Sequence, residues 1–126
     1  IQLENNPKNL NFMKNILLFI KDFELGSKVS SACVDAEMNV EFCDENTSPD
    51  DFVEESLLAI IDLDQDVFFS VGLVSELKRH GLKIIASMEE LKARDLKKIK
   101  TAGCDLVLTK SSLVKNLPKL INELTS

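Results

Sequence analysis

Three stretches of this chain, KNILLFI (14 to 20), LLAII (57 to 61) and LKIIAS (82 to 87), are almost unbroken apolar runs. A strand with one wet face alternates apolar and polar residues, so runs this dense call for strands covered on both faces. Covering both faces of a sheet takes helices, and the intervening segments supply them. Residues 24 to 37 place Val29, Ala32, Cys33 and Ala36 on one helical side. NVEFC (39 to 43) alternates, as a strand nearer an edge does. SPDD (48 to 51) predicts the start of a short helix, with Ser48 as its cap and Pro49 in the first position. Residues 68 to 79 and 89 to 101 predict two more helices, stopped by Gly81 and Gly103, the second with Leu91, Leu96 and Ile99 inward. DLVLT (105 to 109) is the fifth strand. The last helix spans 112 to 124, where Pro118 either kinks it or marks its true start.

Strands and helices in alternation predict an α/β fold, a parallel sheet with right-handed crossovers and helices on both faces. One domain over residues 13 to 126 suits the length, with residues 1 to 12, rich in Asn, as a leader ahead of Met13. No apolar run approaches the roughly 18 residues of a membrane span, and the first residues lack the apolar centre of a secretion signal. Cys33, Cys43 and Cys104 are odd in number and widely spaced, which suits reduced thiols in a cytoplasm. His80 is the only histidine, so a mixed Cys and His metal site is not expected.

The net charge of −6 is split unevenly. Residues 1 to 66 carry 4 Lys against 15 acids, a net −11, and residues 67 to 126 carry 11 Lys or Arg against 6 acids, a net +5. A net acidic chain argues against nucleic acid as the partner.

In doubly wound folds the site forms beyond the carboxyl ends of the strands. The loops there carry Lys21, Asp22 and Glu24; Asp44 and Glu45; Asp62, Asp64 and Asp66; Ser87, Glu89 and Glu90; and Lys110, Ser111 and Ser112. Side chains of Asp64, Asp66, Glu89 and Glu90 read more simply as solvated or helix-start acids.

With Asp62 ending LLAII, Ser87 ending KIIAS, Lys110 ending DLVLTK and Asp22 in IKDF, the chain resembles a response-regulator receiver domain of two-component signalling, of an atypical kind. The resemblance covers about residues 14 to 124. It implies a flavodoxin-like (βα)5 fold with strand order 2-1-3-4-5. It also implies Asp62 as phospho-acceptor, Ser87 and Lys110 as the groups that meet the phosphoryl, and Mg²⁺ held by Asp22, Asp62 and the backbone carbonyl of Asp64. Several features depart from the family pattern. Lys21 replaces one of two acids, DLDQDVFFS lacks the usual Met-Pro and Asp-Gly, Ser111 stands where a proline is common, and Val107 lacks the ring of the family's aromatic switch.

Lys21 sharpens the question. If its ammonium reaches the cluster it repels Mg²⁺ and pairs with Asp62, an interaction of about 4 kcal/mol at about 4 Å before desolvation. The two expectations are a metal site weakened by Lys21 and a degenerate receiver in which Lys21 holds Asp62 and no phosphorylation occurs. A flavodoxin-like cofactor enzyme is the less favoured alternative. IKDFELG offers neither a Gly-rich phosphate loop nor a cobalamin-type histidine, so no organic cofactor and no enzymatic turnover are expected.

Protein contacts are then the expected output. The basic run LKARDLKKIK reads either as the wet face of a helix or as a docking surface. The resemblance favours the second, because the family's fourth helix, fifth strand and fifth helix form its usual interaction face, here represented by Lys92, Lys97, Lys98 and Val107. Implied partners are a histidine kinase or phosphotransfer protein, a downstream protein, or a second copy of the chain.

Overall fold

The computed structural model describes residues 14–48 and 56–125. The expected leader and the expected short helix at SPDD lie outside the described residues. A five-stranded parallel sheet is built from β1 (Asn15–Phe19), β2 (Asn39–Phe42), β3 (Ser56–Asp62), β4 (Lys83–Met88) and β5 (Leu106–Thr109), in the order β2-β1-β3-β4-β5. Four α-helices are described: α1 (Phe23–Asp35), α2 (Val71–Arg79), α3 (Ala93–Ala102) and α4 (Lys110–Thr125). This is the α/β flavodoxin-like topology, and NVEFC does sit at an edge.

The dense apolar runs bury both faces of the central strands. Side chains alternate across a strand, so Leu58 and Ile60 join a core under α1 and α4 with Leu113, Leu117 and Ile121. Ala59 and Ile61 join a second core under α2 and α3 with Leu77, Phe68 and Ile99. The same alternation carries Asp62 to the side of Leu58 and Ile60. Gly81 and Gly103 end α2 and α3 in the left-handed region, at φ 87° and 120°.

Several boundaries moved, each for a local reason. The expected helix 68 to 79 is a 3₁₀ turn (Asp66–Phe68) followed by α2, which Ser70 caps by accepting the Leu73 N–H at 3.1 Å. The helix expected from 89 starts at Ala93 instead, after Lys92, whose backbone is extended and whose carbonyl accepts the Leu96 N–H; Leu91 lies outside it and is exposed rather than inward. The last helix begins two residues early at Lys110, capped by Thr109, whose hydroxyl accepts the Ser112 N–H. Pro118 therefore sits inside α4 and does not mark its start.

Asp105, just ahead of β5, ties three elements together. Its carboxylate accepts the Ile84 N–H at 2.8 Å and pairs with Lys78 of α2 at 2.8 Å. Burial pushes this carboxyl upward, but the Lys78 ammonium and the Ile84 N–H outweigh that and hold it below its ordinary 3.8. A depressed folded-state pKa adds stability that is complete above the unfolded-chain value and is lost as the pH falls through the folded-state value. Asp105→Asn should therefore cost about 1 kcal/mol near neutral pH, allowing for solvent screening of the half-exposed pair. In urea titrations the gap from wild type should narrow as the pH falls below 3.8.

Candidate functional site

Asp62 is the last residue of β3 and lies level with Ser87 of β4. Both are fully buried at 0% exposure, the only polar or charged residues so enclosed among those described. Apolar residues before each make the strands, and the strands carry the polar groups to the carboxyl edge of the sheet. Asp62 Oδ1 accepts the Asp64 N–H at 3.0 Å and lies 3.4 Å from Lys110 Nζ. Asp62 Oδ2 and Ser87 Oγ are buried with no hydrogen-bond partner. A buried carboxylate oxygen left unpaired is costly. Burial accordingly raises the Asp62 carboxyl above its ordinary value, against the Asp64 N–H and the Lys110 charge.

Lys110 is drawn mainly elsewhere. Its ammonium is 2.8 Å from Asp64 Oδ2, closer than to Asp62. Burial alone would lower this lysine, but the Asp64 contact and the charges of Asp62 and Asp64 raise it, so it stays protonated. Asp64 Oδ2 also accepts the Glu89 N–H at 2.8 Å. One carboxylate thus joins the loops after β3 and β4 to the first residue of α4. The reading of Asp64 as a solvated side chain missed this. Its place two residues after Asp62, in DLD, is the signal that would have found it.

Lys21 does not pair with Asp62. It extends over the β2 edge, with Nζ 2.8 Å from Glu45 Oε1, and that contact lowers the Glu45 carboxyl. Glu45 follows β2, the immediate neighbour of β1, and pairing between half-exposed groups avoids desolvating the ammonium. Asp22 is the N-cap of α1, its Oδ2 accepting the Leu25 N–H at 2.8 Å. It lines a hollow of about 560 Å³ together with Lys110 and Glu89, so it does share the carboxyl face of the sheet.

The Mg²⁺ expectation called for two carboxylates, Asp22 and Asp62, and the backbone carbonyl of Asp64. Among the described residues no three acid, histidine or cysteine side chains gather closely enough to hold a metal ion by themselves. Of the two expected carboxylates, Asp22 gives its Oδ2 to the cap of α1, and Asp62 keeps its Oδ2 without a partner.

The expected interaction face is also redrawn. Val107 is buried in the core under α2 and α3. Lys92, at the N-cap of α3, lines a hollow with Asp64, Asp66, Glu89, Glu90 and Asp95. Lys97 and Lys98 lie along the other side of α3, against α2.

No protein-family model matches the sequence, and no curated protein matches it. Solved structures do match. The phosphorylated cyanobacterial phytochrome response regulator RcpA superposes with a TM-score of 0.72 at 12% identity, over 90% of this chain and 95% of that one. HP1043, an orphan response regulator of H. pylori, gives 0.69 at 15% identity, over 92% and 98%. A CheY-like response regulator from Mesorhizobium loti gives 0.67 at 21% identity, over 88% and 98%. The fold is that of the response-regulator receiver domains. No described helix is long and apolar enough to cross a membrane.

Proposed function

We propose that this chain is a receiver module of signal transduction that works through protein–protein contacts, with Asp62 as its phospho-acceptor. The observation that carries this reading is the enclosed Asp62, level with Ser87 on the next strand and 3.4 Å from the Lys110 ammonium. In the proposed step an Asp62 oxygen attacks the phosphorus of a phosphodonor. With acetyl phosphate, the bond from phosphorus to the acetyl oxygen breaks and acetate leaves with the electron pair. Lys110 offsets the charge on the transferred oxygens, and the unpartnered Ser87 hydroxyl donates to one of them. Asp64 competes with that group for Lys110 and for the Glu89 N–H.

That competition favours a second reading, a degenerate receiver held in one state by its own Asp64. Lys21 has no part in it, since its charge is met by Glu45. A histidine kinase or phosphotransfer protein is the natural donor under the first reading, and a downstream protein the reader under both. A cytoplasmic site belongs to both readings and is supported by three buried free thiols. Neither reading requires turnover by the chain.

Intact-mass spectrometry after acetyl phosphate treatment, with and without Mg²⁺, separates the two. The first reading expects one phosphoryl adduct, absent in Asp62→Asn and formed about tenfold faster in Asp64→Asn, the rate equivalent of about 1.4 kcal/mol. Absence of an adduct in both wild type and Asp64→Asn leaves the degenerate receiver.

A further inference from the structure

Between α2 and α3 runs a groove of about 620 Å³ that the site just described does not use. It is lined by Val71, Ser75, Thr101 and Ala102 together with Arg94, Lys97 and Lys98, with no acid on the lining. Val71 keeps 45% of its surface exposed. Among the described residues none of these three cations is ion-paired. The hollow at the other side of the start of α3 is mostly acidic, with Asp64, Asp66, Glu89, Glu90 and Asp95 against the single cation Lys92. Charge is thus sorted to the two sides of one helix.

We infer that the α2–α3 groove is a docking site for an acidic segment of a partner protein that presents an apolar side chain to Val71. Charge complementarity selects the occupant: three unpaired cations in one sign field attract carboxylates and repel basic segments. Val71 requires more than charge, because a purely acidic tail leaves it wet. Nucleic acid fits less well, since the groove has no aromatic ring on which a base stacks and the whole chain is net acidic. The groove is independent of Asp62 chemistry and holds under either reading of it.

Fluorescence anisotropy of the full chain with labelled probes tests this. The probes are a synthetic glutamate-rich helix with a leucine face, the same helix with lysine for glutamate, a polyglutamate of equal length, and a single-stranded oligonucleotide. The glutamate–leucine helix is expected to bind at least about tenfold tighter than the other three, and more weakly as salt rises. Arg94→Glu with Lys97→Glu and Lys98→Glu should weaken it by about tenfold or more, the sum expected of three charge pairs. Val71→Ser should weaken it with the charges intact. The milder pair Lys97→Gln and Lys98→Gln covers the event that the triple variant does not fold, as read by circular dichroism. Undiminished binding by the folded charge variants, equal binding of polyglutamate, or preference for the oligonucleotide overturns the proposal. So does a dimer in sedimentation equilibrium that the charge variants abolish, which would assign the groove to a second copy of the chain.

Discussion

Lys110→Met is expected to destabilise the chain by about 2–3 kcal/mol near neutral pH, below the full cost of breaking a buried pair because Lys110 is partly exposed. The lysine stands 3.4 Å from Asp62 and 2.8 Å from Asp64, and methionine keeps its unbranched stem to within one atom while removing its charge. Two carboxylates would then face each other across the carboxyl edge of the sheet with only backbone N–H groups to offset them. Adding Asp62→Asn should restore most of the loss, since the fully buried member of the pair no longer carries charge. Urea denaturation of the two single variants and the double gives the coupling directly. A lysine variant as stable as wild type would mean that the ammonium holds neither acid. Under the phospho-acceptor reading, the same substitution also prevents the adduct from accumulating.

The second large effect lies in the packing beneath the site. Phe68 is 1% exposed, and its ring meets Phe19 edge to face with centroids 5.7 Å apart. It belongs to the 3₁₀ turn that closes the loop carrying Asp64. Phe68→Ala should cost about 3–5 kcal/mol, from lost burial and the cavity left behind, and Phe68→Leu only about 1–1.5 kcal/mol. Hydrogen exchange should show the amides of Leu63, Asp64 and Gln65 losing protection before those of β3. That order follows if the ring, rather than the strand, anchors the loop. A loss under about 1 kcal/mol for the alanine variant would remove Phe68 as that anchor.

The large features of this protein were legible because they depend on repetition. Unbroken apolar runs at 14 to 20, 57 to 61 and 82 to 87 leave little choice but strands covered on both faces. Gly81 and Gly103 stop helices because a positive φ is cheap only without a Cβ. Strand-end positions of Asp62, Ser87 and Lys110 followed from where the runs stop, and the pairing of Asp62 with Ser87 brings two of them level. Sequence comparison detects none of this, since many apolar residues satisfy the same pattern and the structural neighbours named above share 12–21% identity.

Single side-chain directions were not legible. Lys21 was a candidate partner for Asp62 and turns to Glu45. Val107 was placed on an interaction surface and packs into the core. The Asp64 side chain was expected in solvent and instead bridges Lys110 and the Glu89 amide with its carboxylate. In each case two or more destinations lay within reach of the same residue.

The order of residues by itself determined the class of fold and the edge of the sheet at which charged groups collect, because burial of apolar area is summed over many residues and tolerates exchange among them. Which carboxylate holds the lysine, where the Lys21 ammonium turns, and which flank of α3 is basic against α2 were decided only by the tertiary structure. Those outcomes turn on strand register and on distances of a few ångströms, and electrostatic energies change steeply over that range.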